Sequence, residues 1–137
     1  MNTVTDNPIK ILLVEDNPGD IRLVREALKS GVGNTLNTVS DGVEAIAFLR
    51  RQGRYADAPC PDLILLDLNL PKKGGHEVLA EIKSDEHLKA IPVVILTISQ
   101  AEKDILKAYN LHANCYMIKS VDVNKFFDDI MKAIEYF

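Results

Sequence analysis

The sequence predicts an α/β fold in which a doubly wound parallel sheet is covered by helices on both faces. Five short apolar segments recur along the chain, and amphipathic segments of helical length separate them. Most of the apolar segments are continuous rather than alternating, which is typical of strands covered on both faces. Strands that alternate with helices in this way indicate a parallel sheet.

The five predicted strands are short and regularly spaced. In chain order they cover residues 9–14, 36–39, 63–66, 93–96 and 115–118. The second strand is interrupted by Asn37 and Thr38, so we expect it at an edge of the sheet. The other four are continuous apolar runs and are expected to be covered on both faces.

The segments between the strands have helical periodicity. Asn17 can cap a helix that begins at Pro18, because proline suits the first helical position. The last helix is the clearest, with an apolar face formed by Val123, Phe126, Phe127, Ile130 and Ile134. Right-handed connections between parallel strands then place helices on both sides of the sheet.

Length and composition predict a single domain. The chain has 137 residues, of which 47% are hydrophobic, and this is enough for one core. We assign residues 1–8 to an N-terminal tail and residues 9–137 to the domain. No apolar run approaches the roughly 20 residues that span a bilayer, and no signal peptide is recognisable, so a cytoplasmic protein without a membrane partner is expected. The net charge of -4 is dispersed, which argues against direct nucleic-acid binding.

Polar side chains follow four of the five predicted strands. Glu15 and Asp16 follow the first, Asp67 the third, Thr97 the fourth and Lys119 the fifth. Each alone has an ordinary explanation, since an aspartate after a strand is usually a turn former or a helix cap. Because the carboxyl ends of parallel strands meet at one edge, where ligands bind in such sheets, we expect these side chains to lie together.

The predicted cluster suits phosphoryl chemistry. Three carboxylates at separations of about 4 Å repel one another, and a hard divalent cation such as Mg²⁺ would relieve that repulsion. Lys119 and Thr97 would add one positive charge and one hydroxyl donor for phosphoryl oxygens. Asp67 is the candidate nucleophile, because a carboxylate can form an acyl phosphate.

Four ordered motifs resemble those of a known family. They are LLVEDN at residues 12–17, LILLDLNLP at 63–71 with Gly75, PVVILT at 92–97 and YMIK at 116–119. The chain resembles the receiver domains of two-component response regulators over nearly its whole length. The resemblance implies a flavodoxin-like receiver fold with five strands in the order 2-1-3-4-5.

The resemblance also implies a role for each site residue. Asp67 would be the phosphoacceptor, and Mg²⁺ or Mn²⁺ would be held by Asp16, Asp67 and the backbone carbonyl of Asn69, with Glu15 acting through bound water. Thr97 and Lys119 would contact the phosphoryl group. Tyr116 would be the aromatic switch that turns inward on activation.

The partners follow from the same resemblance. A sensor histidine kinase would donate the phosphoryl group, and a second protein would receive the signal. The segments 111–116 and 130–137 are similar to small stand-alone receivers that work beside phytochrome-type kinases. A homodimer through the fourth helix, fifth strand and fifth helix is consistent with dimerising receivers. The resemblance implies no enzymatic activity beyond the gain and loss of the protein's own phosphoryl group.

Three positions depart from the family pattern. Ile98 stands where a small residue usually follows the threonine, and its branched side chain could crowd access to the acyl phosphate. Ser120 replaces the proline that often follows the lysine, so a cis bond at Lys119 is less favoured. Glu15 stands where many members have aspartate, which lengthens the reach to the metal.

Three other functions are alternatives to a phosphoacceptor. A flavin- or nucleotide-binding domain can have the same architecture, but no glycine-rich phosphate loop follows the first strand. A metal-dependent phosphatase with an aspartyl nucleophile would need a further acid or base and a cap, and neither is recognisable. A receiver that signals by binding alone would not need Asp67, Asp16, Thr97 and Lys119, although Ile98 leaves this alternative open.

Overall fold

The computed structural model describes residues 8–29 and 33–137. Strands and helices alternate along the described chain. The strands are β1 (Ile9–Val14), β2 (Asn34–Val39), β3 (Leu63–Leu66), β4 (Val93–Thr97) and β5 (Cys115–Ile118), and the helices are α1 (Pro18–Lys29), α2 (Gly42–Leu49), α3 (Gly75–Ser84), α4 (Glu102–Asn110) and α5 (Val123–Tyr136). A short 3-10 helix covers Gly53–Tyr55. The expected tail, residues 1–8, lies outside the described residues apart from Pro8.

The five strands form one parallel sheet in the order β2-β1-β3-β4-β5, which confirms the predicted fold class. Val14 at the end of β1 pairs with Leu66 at the end of β3. Leu66 pairs in turn with Ile95 of β4. Because these strands end at the same level, the residues that follow them reach one edge of the sheet.

The sheet separates two apolar layers. Strand side chains alternate between the faces, so Leu12 packs against α2 and α3 on one face, while Leu13 packs against α1 and α5 on the other. The first layer includes Phe48, Val78, Leu79, Ile82 and Ala108. The second includes Val24, Ala27, Phe126 and Ile130. Helices on both faces explain why the buried runs of the central strands, such as residues 11–14 and 63–66, are continuously apolar.

The expectation that β5 is covered on both faces is met only in part: Tyr116 packs against the first apolar layer, and Cys115 and Met117 pack against the second. The β5 side chains are partly buried, and Ile118 is 36% exposed. The reason is topological, since β5 pairs with β4 alone and forms one edge of the sheet. The second strand lies at the opposite edge, as predicted, and begins two residues earlier than expected at Asn34. A hydrophobic run does not by itself distinguish an edge strand from a central one.

Several helices begin where strands end, and polar caps fix those starts. The Asn17 side chain accepts a hydrogen bond of 3.1 Å from the Asp20 backbone N–H, which confirms the predicted start of α1. Asp41 caps α2, and Asp122 caps α5. Among the residues described, no helix combines the length and apolar character needed to cross a bilayer.

Candidate active site at the carboxyl edge of the sheet

Three carboxylates meet where β1 and β3 end. Glu15, Asp16 and Asp67 each offer an oxygen, and these oxygens all lie within 4.8 Å of one another. Glu15 and Asp67 are buried, whereas Asp16 is exposed. Three hard oxygen donors at this spacing, one open to solvent, suit a divalent cation that keeps part of its water shell.

Lys119 brings its ammonium group into this cluster from the end of β5. Its Nζ lies 2.5 Å from Glu15 Oε1, 2.7 Å from Asp20 Oδ2 and 3.2 Å from Asp67 Oδ2. Its backbone N–H donates to the Thr97 carbonyl at 2.8 Å, which holds the segment beside β4. Burial lowers the pKa of Lys119, but the hydrogen bonds to Asp20 and Glu15 and the charge of Asp67 outweigh it, so the pKa is raised and the side chain stays protonated.

Negative charge exceeds positive charge at this edge. The carboxylates of Glu15, Asp20 and Asp67 contact the ammonium of Lys119, and the carboxylate of Asp16 lies beside those of Glu15 and Asp67. Burial raises the pKa of Glu15 to about 7, with a further rise from the charge of Asp67, although the Lys119 hydrogen bond lowers it. The fully ionised cluster is therefore unfavourable without a further cation, which fits the donor set for Mg²⁺ or Mn²⁺.

The loop after β3 fixes the orientation of Asp67. The Asp67 backbone N–H donates to the Val14 carbonyl at 3.0 Å, and the Asn69 N–H donates to Asp67 Oδ1 at 3.2 Å. Gly75 packs directly on this backbone, because a Cβ there would lie 2.6 Å from Leu68 Cα and closer still to the Asp67 carbonyl. These contacts hold Oδ1, while Oδ2 faces Lys119.

Thr97 is the last residue of β4 and is fully buried. Its Oγ1 lies 3.4 Å from the Ser99 backbone N–H. The neighbouring Ile98 side chain is 67% exposed and so lies mainly in solvent at this edge. The peptide bonds of the described residues, including the one before Ser120, are trans.

Tyr116 connects β5 to the loop after β4. It is partly buried, and its hydroxyl donates a hydrogen bond of 2.9 Å to the Ser99 carbonyl. The Ser99 hydroxyl donates in turn to Asp104 Oδ2 at 2.6 Å, in the first turn of α4. Burial raises the pKa of Tyr116, as do the charges of Asp104 and Asp67, while the hydrogen bond to Ser99 lowers it.

The structure thus brings together the carboxylates and the lysine that were predicted to meet. The residue that sequence analysis missed is Asp20, whose carboxylate contacts Lys119 from the first turn of α1. A signal for it existed, because Asp20 lies one helical turn after Asp16 and just past the cap at Asn17. The pattern of strand ends considered only residues that directly follow strands, and the family resemblance added none from a helix.

Comparison with known families shows where the chain belongs. Residues 11–131 match the response regulator receiver domain, which is most of the chain. The chain therefore belongs to the receiver domain family of response regulators, as its motifs predicted. Its sheet order and its cluster of acids with a lysine are consistent with that membership.

Individual relatives are similar over nearly their full length. The chain is 51% identical over 138 aligned positions to the response regulator Rcp1 of Synechocystis sp., covering all of this chain and 93% of that protein. It is 40% identical to the probable methanogenesis regulatory protein FilR2 of Methanothrix harundinacea, covering 95% of this chain and 81% of that protein.

Solved structures show the same architecture. The phosphorylated cyanobacterial phytochrome response regulator RcpA superposes with a TM-score of 0.90 at 56% identity, covering 95% of this chain and 94% of that one. The Mn²⁺-bound form of Rcp1 superposes with a TM-score of 0.87 at 52% identity, with the same coverage. The arrangement of the five strands and five helices is thus that of receiver domains.

Proposed function

We propose that this chain accepts a phosphoryl group on Asp67 from a sensor histidine kinase, in a reaction that needs a divalent metal ion. The observation that carries the proposal is the position of Asp67 Oδ2, which lies 3.2 Å from the Lys119 ammonium beside the carboxylates of Glu15 and Asp16. A nucleophilic oxygen, a fixed positive charge and a set of metal ligands are thus found together.

The transfer uses the geometry of Asp67 directly. A carboxylate oxygen attacks phosphorus, the new oxygen–phosphorus bond forms, and the phosphorus–nitrogen bond of the donor phosphohistidine breaks as its imidazole leaves. Lys119 and the Thr97 hydroxyl would stabilise the negative charge on the transferred oxygens. Water later attacks the same phosphorus atom, which releases inorganic phosphate and restores the carboxylate. We propose no turnover of any other substrate.

Mg²⁺ or Mn²⁺ is the cofactor we assign to the site. Asp16, Asp67 and the backbone carbonyl of Asn69 would hold the ion, and Glu15 would contribute negative charge behind them. When bound, the ion supplies charge that the transferred phosphoryl group needs. The Mn²⁺-bound form of Rcp1, a relative with 52% identity, supports this assignment.

The phytochrome relatives support a narrower proposal for the kinase. RcpA is a cyanobacterial phytochrome response regulator, and AtBRR, at 41% identity, is a bacteriophytochrome response regulator. We assign the donor to the same class, a histidine kinase of the phytochrome type. We also assign residues 9–137 to one receiver domain and residues 1–8 to a tail, and we place the protein in the cytoplasm.

The phosphorylated protein would signal through the surface formed by α4, β5 and α5. Tyr116 links this surface to the loop after Thr97, through the hydrogen bond of its hydroxyl to Ser99. Leu106 and Tyr109 on α4 are 55% and 48% exposed, which offers apolar area to a partner protein or a second copy. Sedimentation with and without beryllofluoride, which mimics a phosphoryl group, would distinguish a phosphorylation-dependent homodimer from a permanent monomer.

The proposed function is tested by incubation with acetyl phosphate and Mg²⁺. Intact mass spectrometry should show the gain of one phosphoryl group by the original protein and none by Asp67→Asn. Transfer from a phosphorylated phytochrome-type kinase should give the same product. Absence of the adduct under both conditions would contradict the proposal.

A further inference from the structure

The ammonium of Lys119 is fully occupied by carboxylates. An ammonium group has three N–H donors. In this structure Lys119 contacts three carboxylates, at 2.5 Å from Glu15, 2.7 Å from Asp20 and 3.2 Å from Asp67. A phosphoryl oxygen on Asp67 can therefore gain a hydrogen bond from Lys119 only if one of these contacts is released.

Asp20 is the partner that is easiest to release. Its side chain is 29% exposed, whereas those of Glu15 and Asp67 are 2% and 7% exposed. A partly exposed carboxylate regains water when it leaves an ion pair, while a buried one does not. Asp20 is also not one of the three acids whose oxygens lie within 4.8 Å of one another, so it stands outside the candidate metal ligands.

We propose that Asp20 is a positioning residue that holds Lys119 in the unphosphorylated protein and is exchanged for a phosphoryl oxygen when Asp67 is phosphorylated. The inference rests on the proposed function and adds a residue to it. The exchange makes and breaks only hydrogen bonds, and the proton stays on Lys119. Asp20 thus competes with the phosphoryl group for one donor.

The exchange would also affect the start of α1. Asp20 lies in the first turn of this helix, where its N–H donates to the Asn17 side chain at 3.1 Å. The Ile21 N–H donates to the Asn17 carbonyl at 3.0 Å. The contact between Asp20 and Lys119 connects this turn to the end of β5. Its loss should let the hydrogen bonds of the first turn of α1 open more readily after phosphorylation.

The test is the affinity for beryllofluoride in the presence of saturating Mg²⁺. Asp20→Asn keeps the size of the side chain and removes its charge, so the affinity should rise about three- to tenfold, the range expected for one charge-assisted contact at a partly exposed position. Asp20→Glu restores the charge and should return the affinity towards the original value. Glu26→Gln removes a charge from an exposed position of the same helix and should have no effect.

Two further measurements separate this role from a purely structural one. Mg²⁺ affinity without beryllofluoride should change by less than about threefold in Asp20→Asn, because Asp20 is not among the candidate metal ligands. Amide exchange at residues 18–22 should increase on adding beryllofluoride to the original protein, and much less in the variant. If Asp20→Asn does not fold, Asp20→Ser is measured in its place.

The outcomes are distinct. Unchanged or weaker beryllofluoride affinity in Asp20→Asn, with Mg²⁺ binding intact, would overturn the role of Asp20 alone. An equal rise in beryllofluoride affinity in Asp20→Asn and Glu26→Gln would also overturn the role of Asp20, because the rise would then come from the change in overall charge. If the original protein neither binds beryllofluoride nor gains a phosphoryl group, both this inference and the proposed function are wrong.

Discussion

The Tyr116 hydroxyl donates a hydrogen bond of 2.9 Å to the backbone carbonyl of Ser99, and this contact links β5 to the loop that leaves β4. Thr97 and Ser99 belong to the same short segment, and the Ser99 hydroxyl continues the chain of contacts to Asp104 on α4. We therefore expect a movement of Thr97 towards a phosphoryl group to be transmitted, through these two hydrogen bonds, to the ring of Tyr116 and the start of α4.

Removal of this hydroxyl should weaken the fold measurably. Tyr116→Phe leaves the ring in place and the Ser99 carbonyl without its donor, so the free energy of unfolding should fall by about 1 kcal/mol. Urea denaturation measures this free energy of unfolding. Tyr109→Phe is the matched control, since Tyr109 lies on α4 with 48% of its surface exposed, and it should change stability by less than about 0.5 kcal/mol. Equal effects of the two substitutions would show that the contact with Ser99 contributes nothing.

Divalent metal should stabilise the protein through the carboxylate cluster. A ligand that binds only the folded state stabilises it by about 2.7 kcal/mol at 100 times its Kd, so Tm should rise with Mg²⁺. Asp16→Ala should raise the Kd for Mg²⁺ at least about tenfold, because it removes a candidate ligand. Glu86→Ala, at an exposed position between α3 and β4 that is not among the candidate metal ligands, is the control. Equal Tm in excess chelator and in millimolar Mg²⁺ would contradict the metal site.

Ile98 should slow at least one reaction of the phosphoryl group. Its branched side chain is 67% exposed beside Thr97, where it can cover the approach to Asp67 without packing into the core. Ile98→Ala should raise the rate of phosphorylation by acetyl phosphate, or of hydrolysis, by about threefold, which corresponds to less than 1 kcal/mol. Val121→Ala changes another exposed apolar residue, two positions after Lys119, and should leave both rates unchanged. If both rates also stay the same in Ile98→Ala, its side chain does not restrict access.

Gly75 should be required for the position of Asp67. A Cβ at Gly75 would lie 2.6 Å from Leu68 Cα, so Gly75→Ala must displace the loop that carries Asp67, at a cost of about 1–3 kcal/mol in stability and with slower phosphorylation. Gly74→Ala is the neighbouring control, because its Cβ would meet its nearest atoms only at 4.0 Å. We expect a change below about 1 kcal/mol for Gly74→Ala. If Gly75→Ala were as well tolerated as Gly74→Ala, the close packing would be irrelevant to the site.

The sequence predicted the central strands and the strand-end residues well, for a physical reason. The central parts of β1, β3 and β4 are buried on both faces, so residues 11–14, 63–66 and 93–96 are apolar at every position, and a polar residue follows each of these runs. Parallel pairing then brings Glu15 and Asp67 to one edge whatever the details of packing.

The errors came from features that depend on the third dimension. The pattern of Cys115–Ile118 is as apolar as that of a central strand, and its incomplete burial follows from its position at an edge, which the family resemblance implied and the apolar pattern did not. The contact of Asp20 with Lys119 joins residues 99 positions apart, and it depends on how the first turn of α1 is placed relative to the residue that follows β5. No local sequence pattern gives that orientation. The sequence therefore indicated that Asp20 is an acidic residue at the start of a helix, but not that it belongs to the site.

The central claim is that Asp67 is the residue that carries the phosphoryl group. The most direct test is peptide mass spectrometry after treatment with acetyl phosphate and Mg²⁺, followed by borohydride, which reduces an aspartyl phosphate to homoserine. We predict homoserine at position 67 in the original protein, none in excess chelator and none in Asp67→Asn. Homoserine at Asp16 or Asp20 with position 67 unmodified, or equal labelling of the Asp67→Asn protein, would contradict the account.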